Sequence, residues 1–154
     1  MGKRIKGFKN KTEFALGGGN VLLHPQFPQI VEYIKNMRKN HIVNITIRYD
    51  DIHRINDKSV LKDAIIDHVD GIGISVQKVS DLSVVEPFAK EMMLTHNKHI
   101  SIHIIPELLG YYKSLEILKE MSKCNRRING YDEKTERQPV HMVEALYKKA
   151  RLQL

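Results

Sequence analysis

Short runs of isoleucine, valine and leucine alternate along this chain with longer segments whose apolar residues recur every three or four positions. The short runs predict strands at about 13 to 17, 43 to 49, 70 to 76 and 100 to 105, because β-branched residues suit a pleated surface. The longer segments predict helices. Phe27, Ile30, Val31, Ile34 and Met37 form one stripe, Val60, Leu61, Ala64 and Ile65 a second, and Val84, Val85, Phe88, Ala89, Met92 and Met93 a third. Leu115, Ile117, Leu118 and Met121 mark a fourth, and Val143, Leu146 and Ala150 behind Pro139 mark a fifth over about 138 to 152. Residues 122 to 137 break this rhythm and read as a polar loop. Strand and helix in alternation predict an α/β fold with a parallel sheet built from βα units.

Within the strands, polar and apolar residues alternate. Asn44, Thr46, Arg48 and Asp50 interleave with Ile45, Ile47 and Tyr49, and Ser75, Gln77, Ser101 and His103 interleave with isoleucines and valines in the same way. A doubly wound sheet is covered on both faces and needs strands that are apolar throughout. This pattern instead predicts an incomplete (β/α) barrel, with parallel strands, helices on the outer face and a polar inner face. An antiparallel sheet with one wet face would alternate too, but the helix-length segments between strands favour parallel crossovers. The polar face would suit a small polar ligand, with Arg48 and His103 the leading contacts and Asp50 and Ser101 beside them. For Arg48, an internal salt bridge with Asp50 competes with recognition of a carboxylate or phosphate.

Where the first strand ends stands Gly17-Gly18-Gly19-Asn20, and Pro25 and Pro28 follow where a helix should start. Glycines allow a ligand to lie against main-chain groups. The turn is neither a phosphate loop, lacking the Gly-Lys-Ser/Thr ending, nor a dinucleotide fingerprint. His99 and His103 are roughly 13 Å apart at strand rise, too far to grip one metal ion. Asp50, Asp51 and His53 at a strand end offer possible oxygen and nitrogen ligands, with a solvated Asx-rich turn as the competing reading. No metal site is expected.

Composition and charge narrow the setting. At 154 residues the chain reads most simply as one domain. It divides into a basic amino-terminal segment (1–12), a βα core (13–121), the polar loop (122–137) and a carboxy-terminal helix (138–154). No apolar run nears the ~20 residues that span a bilayer, and the first residues lack a signal-peptide core, so no membrane partner and a cytoplasmic location are expected. The single cysteine, Cys124, reads as a free surface thiol and excludes an internal disulfide. The net charge of +7 gathers at Lys3, Arg4, Lys6, Lys9 and Lys11 and at Lys123, Arg126 and Arg127. These basic ends either contact nucleic acid or are simply solvated.

Residues 14 to 36, with Gly-Gly-Gly-Asn-Val-Leu-Leu-His-Pro ahead of a helix, resemble the second βα unit of radical S-adenosylmethionine enzymes. Those read Gly-Gly-Gly-Glu-Pro-Leu-Leu-His-Pro at this point. Segments 44 to 50, 70 to 77 and 99 to 106 fit the family's third, fourth and fifth strands, and the resemblance spans roughly residues 13 to 120. It implies a partial βα barrel with S-adenosylmethionine as cofactor. The methionine amino group would meet Gly18, Gly19 and Asn20, with Gly17 also part of the cofactor site, and the ribose would meet Ser75 and Gln77.

Two departures accompany the resemblance. The Cys-x-x-x-Cys-x-x-Cys motif that holds the family's iron–sulfur cluster is absent, so no such cluster is expected in this chain. Asn20 replaces a glutamate, exchanging an anion for a neutral amide. The expectation is a truncated or divergent radical S-adenosylmethionine protein that retains cofactor or substrate binding, its own enzymatic activity being left open. The absent first βα unit implies an exposed sheet edge, inviting a homo-oligomer or a completing chain. The alternatives are a nucleic-acid-associated module acting through its basic ends and a non-radical enzyme using Arg48, Asp50 and His103.

Overall fold

The computed structural model describes residues 10–104 and 109–129. In chain order the elements are β1 (Glu13–Leu16), α1 (Phe27–Met37), β2 (Ile42–Arg48), α2 (Asp51–Asp57), α3 (Ser59–His68), β3 (Gly71–Ser75), α4 (Leu82–Leu94), β4 (His99–His103) and α5 (Tyr111–Asn129). Single 3-10 turns lie at Val21–Leu23 and Val79–Asp81. The four strands form one sheet in the order β1-β2-β3-β4, every neighbour parallel. The strand expectations therefore hold to within two residues at each end.

The alternation has the consequence the sequence suggests. Val43, Ile45 and Ile47 of β2 and Ile72 and Ile74 of β3 are buried with Phe27, Val31 and Ile34 of α1, Leu61 and Ile65 of α3, and Val85, Phe88 and Met92 of α4. The opposite face carries Glu13, Thr46, Arg48, His99 and His103, all exposed. Among the described residues no helix covers it. Pro28 sits in the first turn of α1, where its missing N–H costs least.

The amino-terminal end of the sheet is tied by Asp70. Its Oδ2 accepts hydrogen bonds from the Val43 amide at 2.7 Å and from Lys35 Nζ at 2.6 Å, while Lys35 also donates to the His41 carbonyl at 2.6 Å. His41 is buried, its ring edge-on to Phe14. The Thr12 amide donates to His41 Nδ1 at 3.1 Å, which places the ring proton on Nε2, a buried atom without a hydrogen-bond partner among the described residues. The ring thus fixes the entry to β1.

Three expectations change. Residues 122–129 do not form a loop: they continue α5 to Asn129. The helical spacing of Ile117, Met121 and Cys124 carries the buried stripe through a segment whose composition is polar. Cys124 is not a surface thiol. It is buried between α5 and α4, where Sγ donates to Glu86 Oε2 at 3.3 Å. Asp51 does not belong to a solvated turn either, because Ile52 and Ile55, three residues apart, are buried and draw the segment into helix α2. The expected helix at 138–154, the remainder of the 122–137 loop and most of the basic segment 1–12 lie outside the described residues. No helix of the described residues is long and apolar enough to cross a membrane.

Arg127 closes the α4–α5 seam. Its guanidinium engages both carboxylate oxygens of Glu86 and holds that carboxyl below the usual range, and it reaches Cys124 Sγ at 3.1 Å. Lys123 pairs with Glu120 at 3.0 Å. Two cations of the carboxy-terminal basic cluster are therefore partnered within the chain. Burial, followed by the Glu86 carboxylate, pushes the Cys124 thiol up to about 11. A thiol whose ionisation is raised on folding adds stability below its unfolded value, and this is lost as the pH climbs from about 9 toward 11. At pH 8, iodoacetamide is expected to modify Cys124 about a hundredfold more slowly in the folded chain than in urea, following the smaller thiolate fraction. Equal rates would show an accessible thiol.

Candidate functional site

The carboxy ends of the strands bring most of the sequence-derived candidates onto one face. Strand register pairs Arg48 with Ser75 and Ser75 with His103, so a cation, a hydroxyl and an imidazole form one row across β2, β3 and β4. The row is about 10 Å wide between its outer strands. One step back along the strands, Thr46, Gly73 and Ser101 form a second row, and another step back Ala15, Asn44, Gly71 and His99 form a third. Same-face alternation therefore places Arg48, Ser75, Ser101 and His103 together. Gln77 lies two residues beyond the end of β3 and is exposed.

Arg48 Nη2 and Asp50 Oδ2 are 2.9 Å apart, with both side chains largely exposed. Such a pair is worth little in water and leaves the guanidinium able to exchange its partner. Ser101 Oγ and His103 Nε2 are 3.1 Å apart. Beneath them, a Cβ at Gly73 would collide with the His103 ring, and one at Gly71 would collide with the Asn44 amide. These two glycines serve neither a turn nor a positive φ. They leave the space in which a cross-strand side chain lies flat on the sheet. Asn44 Nδ2 in turn donates to Glu13 Oε1.

The glycine turn follows β1. Gly18 and Gly19 have φ of 83° and 69°, the left-handed region that costs a residue with a Cβ about 1–2 kcal/mol. Gly17, Gly18 and Gly19 are exposed, and a Cβ at any of them would meet nothing within 4 Å. The main chain here is open to a ligand. Asn20 is differently employed: Oδ1 accepts from the Leu22 amide at 3.0 Å, and Nδ2 donates to Asp51 Oδ1 at 2.6 Å. Its amide caps the turn from below rather than facing outward with the glycines.

Asp51, expected as an oxygen ligand or part of a solvated turn, and Asp81, which the sequence reading did not single out, instead tie the strand ends. Both are buried, and each accepts a backbone N–H three residues earlier, where a strand has just ended or is ending. Asp51 Oδ2 takes the Arg48 amide at 3.0 Å, and Asp81 Oδ2 takes the amides of Lys78 at 3.0 Å and Gln77 at 2.9 Å. The signal available in the sequence was an aspartate just beyond a strand and just ahead of an apolar helical stripe. The glycines of Gly71-Ile72-Gly73 were the corresponding signal for the close packing on the polar face.

The donor set does not fit a thiolate-held iron–sulfur cluster. The chain's only cysteine is Cys124, which is buried on α5 against Glu86. Among the described residues, no three His, Cys, Asp or Glu side chains converge as metal ligands do. The carboxy end of the sheet carries half-buried hydroxyls at Ser75 and Ser101, the exposed Gln77 amide and the exposed Arg48 guanidinium.

Gly73→Ala is expected to leave the chain folded, at a cost below about 1 kcal/mol, because the colliding His103 ring is exposed and can swing aside. The His103 imidazole resonances should shift as the contact with Ser101 breaks. Unchanged resonances would mean that the ring does not rest on Gly73. No family model matches the chain, and no curated protein or solved structure matches it.

Proposed function

We propose that this chain is a partial radical S-adenosylmethionine core, an arc of a βα barrel that binds S-adenosylmethionine across the carboxy ends of its strands. The observation that carries the reading is the Arg48–Ser75–His103 row on the face that the described helices leave bare, at the same carboxy end of the sheet where β1 runs into an open glycine turn. In this reading the main chain of Gly17, Gly18 and Gly19 meets the methionine end. Asn20 supports that turn through its amide. Ser75 and Gln77 meet the ribose, and Arg48, Asp50, Ser101 and His103 face the substrate. Bound S-adenosylmethionine supplies a sulfonium centre activated for carbon–sulfur cleavage. A completing chain would have to bring any cluster, and the outer edge of β1, which pairs only with β2 among the described residues, is where a further strand would add.

A second reading rests on the Ser101–His103 pair. A histidine held by a serine and lying in register with Arg48 could serve non-radical acid–base chemistry on an anionic substrate, with His103 moving the proton and Arg48 holding the charge.

Calorimetry with S-adenosylmethionine is expected to show saturable heat at micromolar to millimolar concentration, independent of iron. Gly18→Ala or Gly19→Ala should weaken that binding about tenfold, in line with about 1–2 kcal/mol of strain in the turn. Absence of heat at millimolar ligand would overturn the cofactor reading and leave the second.

A further inference from the structure

The glycine turn and the exit of β2 are joined by one side chain. Asp51, buried at the start of α2, spends Oδ1 on the amide nitrogen of Asn20 and Oδ2 on the main-chain amide of Arg48. Asn20 spends its own oxygen on Leu22, so neither amide nor carboxylate can turn without losing a bond. We propose that Asp51 is a positioning residue, which sets the glycine turn against the Arg48 end of the sheet and thereby governs the affinity of ligands bound there. This rests on the reading of that end as the ligand site.

The chemistry makes the contact directional. Asn20 can only donate through Nδ2 while Oδ1 is held by Leu22, and Asp51 can only accept. Asp51→Asn places an NH2 group against either Asn20 Nδ2 or the Arg48 N–H, because turning the new amide only moves the conflict. Asn20→Asp sets two carboxylates face to face in a part-buried place. The double variant Asn20→Asp, Asp51→Asn exchanges donor for acceptor: the new carboxylate accepts from Leu22 and from the new amide, whose oxygen accepts from Arg48. Every hydrogen bond of the original arrangement then has a counterpart.

Asp81 provides an internal contrast. It accepts from Gln77 and Lys78, close to it in sequence, and has no bond to the glycine turn.

The test is a double-mutant cycle on the full chain with two readouts, the amide resonances of Gly18 and Gly19 and the calorimetric affinity for S-adenosylmethionine. Each single variant should displace the Gly18 and Gly19 resonances and weaken binding about tenfold or more. The double variant should restore the resonances and bring affinity within about threefold of the original. Asp81→Asn should leave the two glycine resonances in place. If the single variants lower the melting temperature yet keep the glycine resonances, or if the double variant fails to recover them, the positioning role is wrong. If the unaltered chain binds no S-adenosylmethionine, the functional reading fails by itself, and the resonances still decide the role of Asp51.

Discussion

Parallel strands in chain order place successive crossovers on one side of the sheet, and the rest of this molecule follows from that constraint. The isoleucines and valines of β2 and β3 bury themselves against the helices, while the alternate residues of the same strands face away from them. Polar side chains are therefore tolerated at the centre of a parallel sheet. The polar rows lie on that uncovered face, and the glycine turn leaves β1 at the carboxy end of the same sheet.

Carboxylates, Asp70 partly exposed and Asp51 and Asp81 buried, then tie the ends of the sheet. At one end Asp70 gathers an amide from β2 and the ammonium of Lys35, and at the other Asp51 and Asp81 gather the amides that leave β2 and β3. Hydrogen bonds to charged groups contribute about 1.5–3 kcal/mol each, more than a neutral bond. Loops tied in this way hold their shape without apolar cover. The arrangement suits the proposed role, because a ligand lying on an open face depends on main-chain groups that are already in place.

Much of the fold was legible because it rests on local period. Alternation in Ile45-Thr46-Ile47-Arg48 identified both a strand and its exposed face, and the stripe of Phe27, Val31 and Ile34 identified α1. The failures share one cause, the use of polar composition as a sign of loop or solvent. Lys123 and Arg127 hide a helix because their charges are met, Lys123 by Glu120 one turn earlier in α5 and Arg127 by Glu86, a partnership that appears only when α5 docks on α4. Cys124 is buried in that seam, and Asp51 is buried because Ile52 and Ile55 pull its segment inward.

The sequence by itself determined which residues share a strand face, where the chain turns at Gly18 and Gly19, and that helices cover one side of the sheet. Those properties depend on neighbours a few positions away. Only the tertiary structure decided that Arg48, Ser75 and His103 stand in one row, that the His103 ring lies over Gly73, and that Asn20 meets Asp51 across 31 residues of chain. Register is a relation between strands, and a slip of one residue would turn each side chain to the other face. Local pattern therefore identified the candidate residues, and pairing between distant segments chose which of them act together.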